Sequence, residues 1–368
     1  MSQARLAARV TRHWVKRKRD DFFDIVKLKL FVTRRCNLKC VHCGIGEAEH
    51  TGDTDLTTEQ VLELWRHNPR LEILSLSGGE PFIRPDMTTI GLGAVEHIPG
   101  MHALTVNTNG WYTEETIDFS KQVLDALRGE QRLFIAVSSD GPPDVHAKIR
   151  GDNESYERKE ETLARLRELP GAGERLQIRH NVNVNRWNLD VAIQYINERE
   201  AAGEQCMVSL YSFSKHYDHQ SKHKKERVAF REQMHEQHQV LETLKQRRSF
   251  LGNRFMTLAQ KYYEQPQRTQ PVPCFSLRAS AIIEQDGMVR PCINFPANIG
   301  KVQDNGYDLS AILSGDKSNK LRETIRLEKC PICWTPNEAY VTMMCNLPNP
   351  DLWREPAGAV RSARFFKR

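Results

Sequence analysis

Long apolar runs are missing from this sequence. Nowhere do roughly 18 apolar residues follow one another, so no segment reads as a membrane-spanning helix. A secretory leader is missing too: MSQARLAARVTRHWVKRKRD is positively charged but has neither an uninterrupted apolar core nor a small-residue cleavage site. These two absences predict a cytoplasmic protein. No repeat of solenoid period and no low-complexity tract occurs, which argues against array architectures. General disorder is excluded as well, because 39% of the residues are hydrophobic and only 27% charged. What is plentiful is cysteine. Nine cannot all pair within one chain, and a reducing compartment keeps them as thiols or metal ligands.

The 368 residues suffice for two domains or for one barrel with an appendage. Apolar runs at Val26 to Thr33, Ile73 to Ser77, Ala103 to Thr108, Leu133 to Ser138, Gln177 to Val184 and Cys206 to Ser212 read as strands. Between them, Thr58 to Trp65, Glu114 to Leu127, Ser155 to Leu169 and Leu189 to Ala201 carry apolar residues at spacings of three and four, as helices do. Repeated strand-helix units predict an α/β fold with a parallel sheet, here a partial (βα)6 TIM-like barrel.

The rest of the chain divides by composition into a basic N-terminal extension over 1–25, the barrel over 26–214, a helical bridge over 215–270, a cysteine-rich module over 271–346 and a tail over 347–368. In the extension, Leu6, Val10 and Trp14 recur every four residues among Arg5, Arg9, Arg12 and Lys16 to Arg19. This amphipathic helix either packs on its own domain or meets an anionic partner. In the bridge, Phe230, Met234, Leu241 and Leu244 form a helical stripe, and His216, His219 and His223 share a face that binds metal or is simply solvated. In the module, Leu277 to Glu284 and Met288 to Cys292 flank the turn dipeptide Asp286-Gly287, the pattern of a β-hairpin.

Cys36, Cys40 and Cys43 follow the first strand in TRRCNLKCVHCGIG, so three thiolates converge from one loop. Thiolates suit an iron-sulfur cluster, and three leave one iron open; zinc, the competitor, normally takes four protein ligands in a structural site. The CxxxCxxC loop resembles that of the radical S-adenosylmethionine (SAM) enzymes. Gly78-Gly79-Glu80-Pro81 after the second strand, Thr108-Asn109-Gly110 after the third and Ser138-Ser139-Asp140-Gly141-Pro142 after the fourth extend the resemblance. Each motif falls at the carboxyl end of a strand, the rim where barrel-like sheets collect functional groups.

The resemblance implies a 4Fe-4S cluster on Cys36, Cys40 and Cys43, whose open iron chelates SAM. It implies that Gly78 and Gly79, with Glu80 nearby, receive the methionyl ammonium, that His42 packs on the adenine, and that Ser138 and Asp140 contact the ribose. Arg150 is the candidate for the SAM carboxylate, with Arg158 as its rival. Asn107 and Asn183, near strand ends, are SAM contacts or structural amides.

Cys274, Cys292, Cys330 and Cys333 form a second set. The hairpin and the later CPIC loop can deliver four thiolates to one site, which by spacing holds zinc or iron equally well. The set resembles the twitch domain (a β-hairpin plus helix), the half-sized relative of the SPASM domain, and so implies one auxiliary 4Fe-4S cluster. No cysteine follows between Trp334 and Met344, against a second auxiliary cluster.

The implied activity is reductive SAM cleavage to a 5′-deoxyadenosyl radical that takes a hydrogen atom from a substrate carbon, oxidising or cross-linking a small metabolite, sugar or peptide. An electron donor such as flavodoxin or ferredoxin would serve it. Two rivals stand: a redox-neutral epimerase in which Cys345 or Cys206 donates a hydrogen atom, and a non-catalytic zinc- or nucleic-acid-binding protein. Either cysteine is equally a buried apolar thiol.

Overall fold

The computed structural model describes residues 3–47, 50–210, 250–264 and 269–354, together with residue 242. The stripe of Phe230, Met234, Leu241 and Leu244 and the group His216, His219 and His223 lie outside the described residues. Six parallel strands run in chain order: β1 Lys27–Thr33, β2 Ile73–Gly78, β3 Ala103–Thr108, β4 Arg132–Ser138, β5 Leu176–Val184 and β6 Gln205–Leu210. The helices between them are α2 Thr58–His67, α3 Met87–His97, α4 Thr113–Ala126, α5 Pro143–Arg150, α6 Ser155–Arg167 and α7 Leu189–Ala201, and α1 Gln3–Val15 precedes the sheet. The sheet order is β6-β5-β4-β3-β2-β1-β7-β8, and the two ends do not pair, so the barrel is open as the partial (βα)6 reading expects.

Alternation along the strands decides what faces what. In β1, Leu28, Leu30 and Val32 turn to one side and join Leu74, Leu76, Leu104 and Val106 in the main core, beneath Val61, Leu64 and Trp65 of α2. The other side carries Lys29 of β1, Ser77 of β2, Asn107 of β3, Ser138 of β4, and Asn181 and Asn183 of β5. A strand with one apolar and one polar face thus buries its apolar side under helices and reserves its polar side for a cavity. The helix starts follow local chemistry: Thr57 caps α2 by accepting from the Gln60 N–H, while the Gln60 side chain accepts from the Thr57 N–H.

The expected hairpin is present as β7 Ser280–Ile283 and β8 Val289–Arg290, and Gly287 at its turn has φ 84°. It extends the main sheet. β7 pairs parallel with β1, from Lys27 opposite Ser280 to Leu30 opposite Ile283, so the cysteine-rich segment continues the sheet that carries the first cysteine loop. After it come α9 Leu309–Leu313, α10 Asp316–Arg326, α11 Pro336–Cys345 and α12 Pro350–Trp353; α8 Phe250–Glu264 packs on α11.

Helix α1 packs on the rest of the chain, chiefly on the C-terminal module. Val10 is buried with Phe275, Ala279, Val341 and Cys345, and burying such a valine contributes about 1.5–3 kcal/mol. Arg9 is buried too, and its guanidinium meets Asp24 at 2.6 Å and Glu72 at 2.6 Å. Arg9 and Val10 are therefore internal, whereas Arg12 keeps about half of its side chain exposed. Among the described residues no helix is long and apolar enough to cross a membrane.

Candidate functional site

The loop after β1 carries Cys36, Cys40 and Cys43, and neighbouring backbone fixes its course. Gly79 N–H donates to the Thr33 carbonyl at 2.8 Å, Glu80 N–H to the Arg35 carbonyl at 2.8 Å, and Val41 N–H to the Ile149 carbonyl at 2.9 Å. Glycine is required where two loops approach this closely. A Cβ on Gly79 would lie 2.0 Å from the Arg35 oxygen, and one on Gly78, whose φ is 152°, 2.2 Å from the Thr33 oxygen.

All three cysteines line one cavity of about 250 Å³. Of the residues that the sequence assigned to SAM, His42, Gly78, Gly79, Asn107, Ser138, Arg150 and Asn183 line it as well. The Asn183 side-chain oxygen is buried without a hydrogen-bond partner, an acceptor available to a ligand. Arg158 does not line the cavity; it pairs with Glu154 at 3.4 Å over a solvent-exposed turn, so geometry favours Arg150 over its rival.

Four of the expected site residues, Glu80, Asp140, Cys206 and Cys345, do not line the cavity. Glu80 is fully buried and its carboxylate faces protein, accepting from Asn109 N–H at 2.6 Å, the Thr108 hydroxyl at 2.8 Å and Phe82 N–H at 3.1 Å. It ties the loop after β2 to the loop after β3 and does not line the cavity. Burial pushes its carboxyl up to about 7, against the pull of those three donors.

Asp140 is likewise fully buried and clamps Arg150, with contacts of 2.6 and 2.7 Å, while the same guanidinium lies 3.8 Å from the Cys40 sulfur. Burial works to raise the Asp140 carboxyl, but the Arg150 charge and the two histidines His42 and His146 outweigh it and hold the group below its usual range. Asp140 thus presets Arg150 through its Oδ2, while its Oδ1 is buried without a hydrogen-bond partner.

Cys206 and Cys345, the two proposed hydrogen donors, do not line the cavity. Cys206 shares the helix-facing side of β6 with Val208, one residue out of phase with the inward Met207 and Ser209. Cys345 is 0% exposed in the apolar cluster between α1 and α11, the ordinary fate of a structural thiol.

Sequence reasoning passed over Lys29, Asn181, Met207, Ser209 and Asn337, all of which line the cavity. For the strand residues the signal was available: each sits two positions from an inward residue on its strand.

The second set of cysteines comes from three places: Cys274 before β7, Cys292 after β8, and Cys330 with Cys333 between α10 and α11. The four form one electrostatic neighbourhood. Burial and then Glu338 push the Cys274 thiol up, with Cys333 and Cys330 adding to the effect; Cys292 rises by burial and by Cys333. Burial pushes Cys330 up to about 11. In the first set, burial and then Cys40 raise Cys36.

Thiols so buried remain protonated unless a positive centre draws off the proton, and a metal cluster is such a centre. Soft donors in two separate groups of three and four fit iron-sulfur clusters. Among the described residues no three His, Cys, Asp or Glu side chains are gathered closely enough for a single metal ion.

Residues 30–172 match the Radical SAM superfamily, and residues 274–335, which hold all four cysteines of the second set, match the SPASM iron-sulfur cluster-binding domain. The probable GTP 3′,8-cyclase of Methanocella arvoryzae is 35% identical over 88 residues, 23% of this chain and 27% of the relative. The AdoMet-dependent heme synthase of Methanosarcina barkeri is 32% identical over 164 residues, 43% of this chain and 42% of that one. The chain spans less than half the length of these relatives.

Among solved structures, SuiB of Streptococcus suis matches 85% of this chain and 71% of its own at a TM-score of 0.54 and 14% identity. Native anSMEcpe with bound AdoMet matches 88% of this chain and 97% of its own at 0.53 and 15% identity. Such likenesses establish a shared fold. The chain thus carries a Radical SAM superfamily region over residues 30–172 and a SPASM-type iron-sulfur cluster-binding domain over residues 274–335, a pairing that supports a 4Fe-4S cluster, an auxiliary iron-sulfur cluster and S-adenosylmethionine as its cofactors.

Proposed function

We propose that the protein abstracts a hydrogen atom from a small metabolite, sugar or peptide and oxidises it, with Cys36, Cys40 and Cys43 holding the SAM-binding cluster and Cys274, Cys292, Cys330 and Cys333 the auxiliary one. The observation that carries this reading is the shared cavity. Its wall includes the first cysteine loop and also Ile293 and Thr335 to Asn337, which directly follow Cys292 and closely follow Cys333. A substrate held there lies between the two thiol sets.

When bound, the first cluster and SAM supply one electron and a 5′-deoxyadenosyl radical that takes the hydrogen atom, and the auxiliary cluster supplies an acceptor for the electron left on the substrate. The chain's own residues bind, orient and exclude water. The closely packed Gly78 and Gly79 leave backbone exposed toward a ligand, Arg150 offers a guanidinium preset by Asp140, and the amides of Asn107 and Asn183 offer hydrogen bonds. Oxidation is favoured over epimerisation because neither Cys206 nor Cys345 faces the cavity. Relatives named as a cyclase of GTP and a heme synthase favour a small metabolite; a peptide is the second reading, since anSMEcpe shares the fold in a structure with bound AdoMet and a peptide.

Anaerobic reconstitution tests the proposal. Two 4Fe-4S clusters require about eight irons and eight sulfides per chain, and the dithionite-reduced protein should form 5′-deoxyadenosine from SAM. Substituting Cys36, Cys40 or Cys43 by alanine should abolish that product, whereas substituting Cys274 or Cys333 should remove about half of the iron. Stoichiometric zinc without sulfide would overturn the reading.

A further inference from the structure

β1 places two lysines on its inner side, two residues apart, and the structure gives them unequal company. Lys27 donates to the Asn337 carbonyl and is drawn toward the charge of Glu338, which itself accepts from the Ser280 hydroxyl. Lys29 has no carboxylate within ion-pair distance among the described residues. Its ammonium donates to the Asn337 side-chain oxygen at 3.3 Å and lies 4.9 Å from the centre of the Phe31 ring. Glu284, the other acid that it feels, is engaged by Arg290 at 3.3 Å and Arg34 at 4.0 Å. Lys29 is 5% exposed, and it lines the cavity of the three cysteines.

A buried ammonium held only by an amide oxygen and an aromatic face loses more hydration than those contacts return. Burial and then Lys27 accordingly bring it down to about 7, against the pull of Glu338 and Glu284. An oxyanion arriving in the cavity would supply the missing partner, since the nearby acids among the described residues already face other groups, Glu284 facing Arg290 and Arg34, and Glu338 facing Lys27 and the Ser280 hydroxyl. Asn337, from the segment that closely follows Cys333, fixes the direction of the ammonium. The ammonium therefore stands where the sheet meets the C-terminal module.

We propose that Lys29 is the anion-receiving residue of the substrate site and holds a carboxylate or phosphate group of the substrate against the inner face of β1. This assignment rests on the reading of the cavity as the substrate site. It makes the substrate class anionic, with the reacting carbon turned from β1 toward the cysteine loop.

The test uses the full-length, anaerobically reconstituted protein. Trace acetylation of its lysines at pH 7.5, read by peptide mass spectrometry, is compared in acetate, in inorganic phosphate and in acetamide at equal ionic strength. Labelling of Lys29 should fall at least threefold in one or both anions, and which of them protects distinguishes carboxylate from phosphate. Acetamide, shaped like acetate but neutral, should leave it unchanged. In a parallel melting experiment the same anion should raise the midpoint of the unsubstituted protein and of Lys29→Arg, but not of Lys29→Met.

Equal protection by acetamide, an anion-induced rise that survives in Lys29→Met, or no response to either anion in both measurements would overturn the assignment. Formation of 5′-deoxyadenosine in the same preparation reports separately. Its absence beside an intact anion response sinks the proposed activity alone, and its presence without that response sinks the role of Lys29 alone.

Discussion

Glu80 offers the sharpest physical test of the site's scaffold. Burial raises its folded-state carboxyl from 4.5 to about 7, while in the unfolded chain it titrates at the ordinary value. Between those two values the folded state binds more protons than the unfolded one, so stability falls as pH rises. The protonated side chain is comfortable below pH 4.5, and the full cost of ionising it in the interior is present above pH 7. At ~1.4 kcal/mol per pH unit, the loss across this window is about 3 kcal/mol.

His13, His146 and His180 contribute with the opposite sign. Burial is the main cause that brings them down to about 4, 3 and 3, so they weaken the fold as pH drops below 6.5. Only a difference between variants isolates the Glu80 contribution. Glu80→Gln keeps the shape and one accepting oxygen but cannot ionise. Urea unfolding of the cluster-free chain, followed through the fluorescence of its tryptophans, including the fully buried Trp65, should be run on both proteins from pH 4.5 to 8. The stability advantage of the native side chain over glutamine should shrink by about 3 kcal/mol across that range. Parallel curves would refute the argument that the interior, and not the three donors, dominates this carboxyl.

Three further outcomes follow from the same geometry. Asp140→Asn leaves the buried Arg150 without its carboxylate and should cost about 3–5 kcal/mol in urea unfolding; because the guanidinium lies 3.8 Å from the Cys40 sulfur, iron loading at the three-cysteine site should fall as well, and unchanged stability and loading would refute the role of the pair. Gly79→Ala drives a methyl group to within 2.0 Å of the Arg35 oxygen and should destabilise by about 1–3 kcal/mol and lower iron and sulfide incorporation, and normal loading would refute the close approach. Cys345→Ala should lower the unfolding midpoint, by about 1–2 kcal/mol of stability, while 5′-deoxyadenosine and product yields stay level. Loss of product with SAM cleavage intact would restore Cys345 as a hydrogen donor.

Much of the fold was legible because its signals are local. Alternation in KLKLFVT and ALTVNT marks strands whatever surrounds them, and Asp286-Gly287 marks its turn by the positive φ that only glycine takes easily. Helix α3 is not among the helices expected from the sequence, and its Gly91 and Gly93 disfavour a helix by propensity. In the structure they are contact points, where a Cβ would lie 2.5 Å from Phe119 and 2.1 Å from Leu62, so packing overrode propensity. Helix α5 was hidden by Pro142-Pro143, which resemble a turn and in fact start the helix, with a proline in its first turn.

The sequence alone determined the chemistry in stock: two sets of cysteines, three in one short loop and four divided among three segments. Tertiary structure decided which polar residues line the cavity. Glu80 and Asp140 stand in motifs as conspicuous as the glycines beside them, yet they turn into the protein because buried amide and guanidinium donors across the sheet claim their charge. Lys29 stands in no motif, yet it reaches the cavity because strand parity sends it inward and β7 pairs beside it. Partner choice among buried charges depends on groups far apart in the chain, and no spacing rule carries that information.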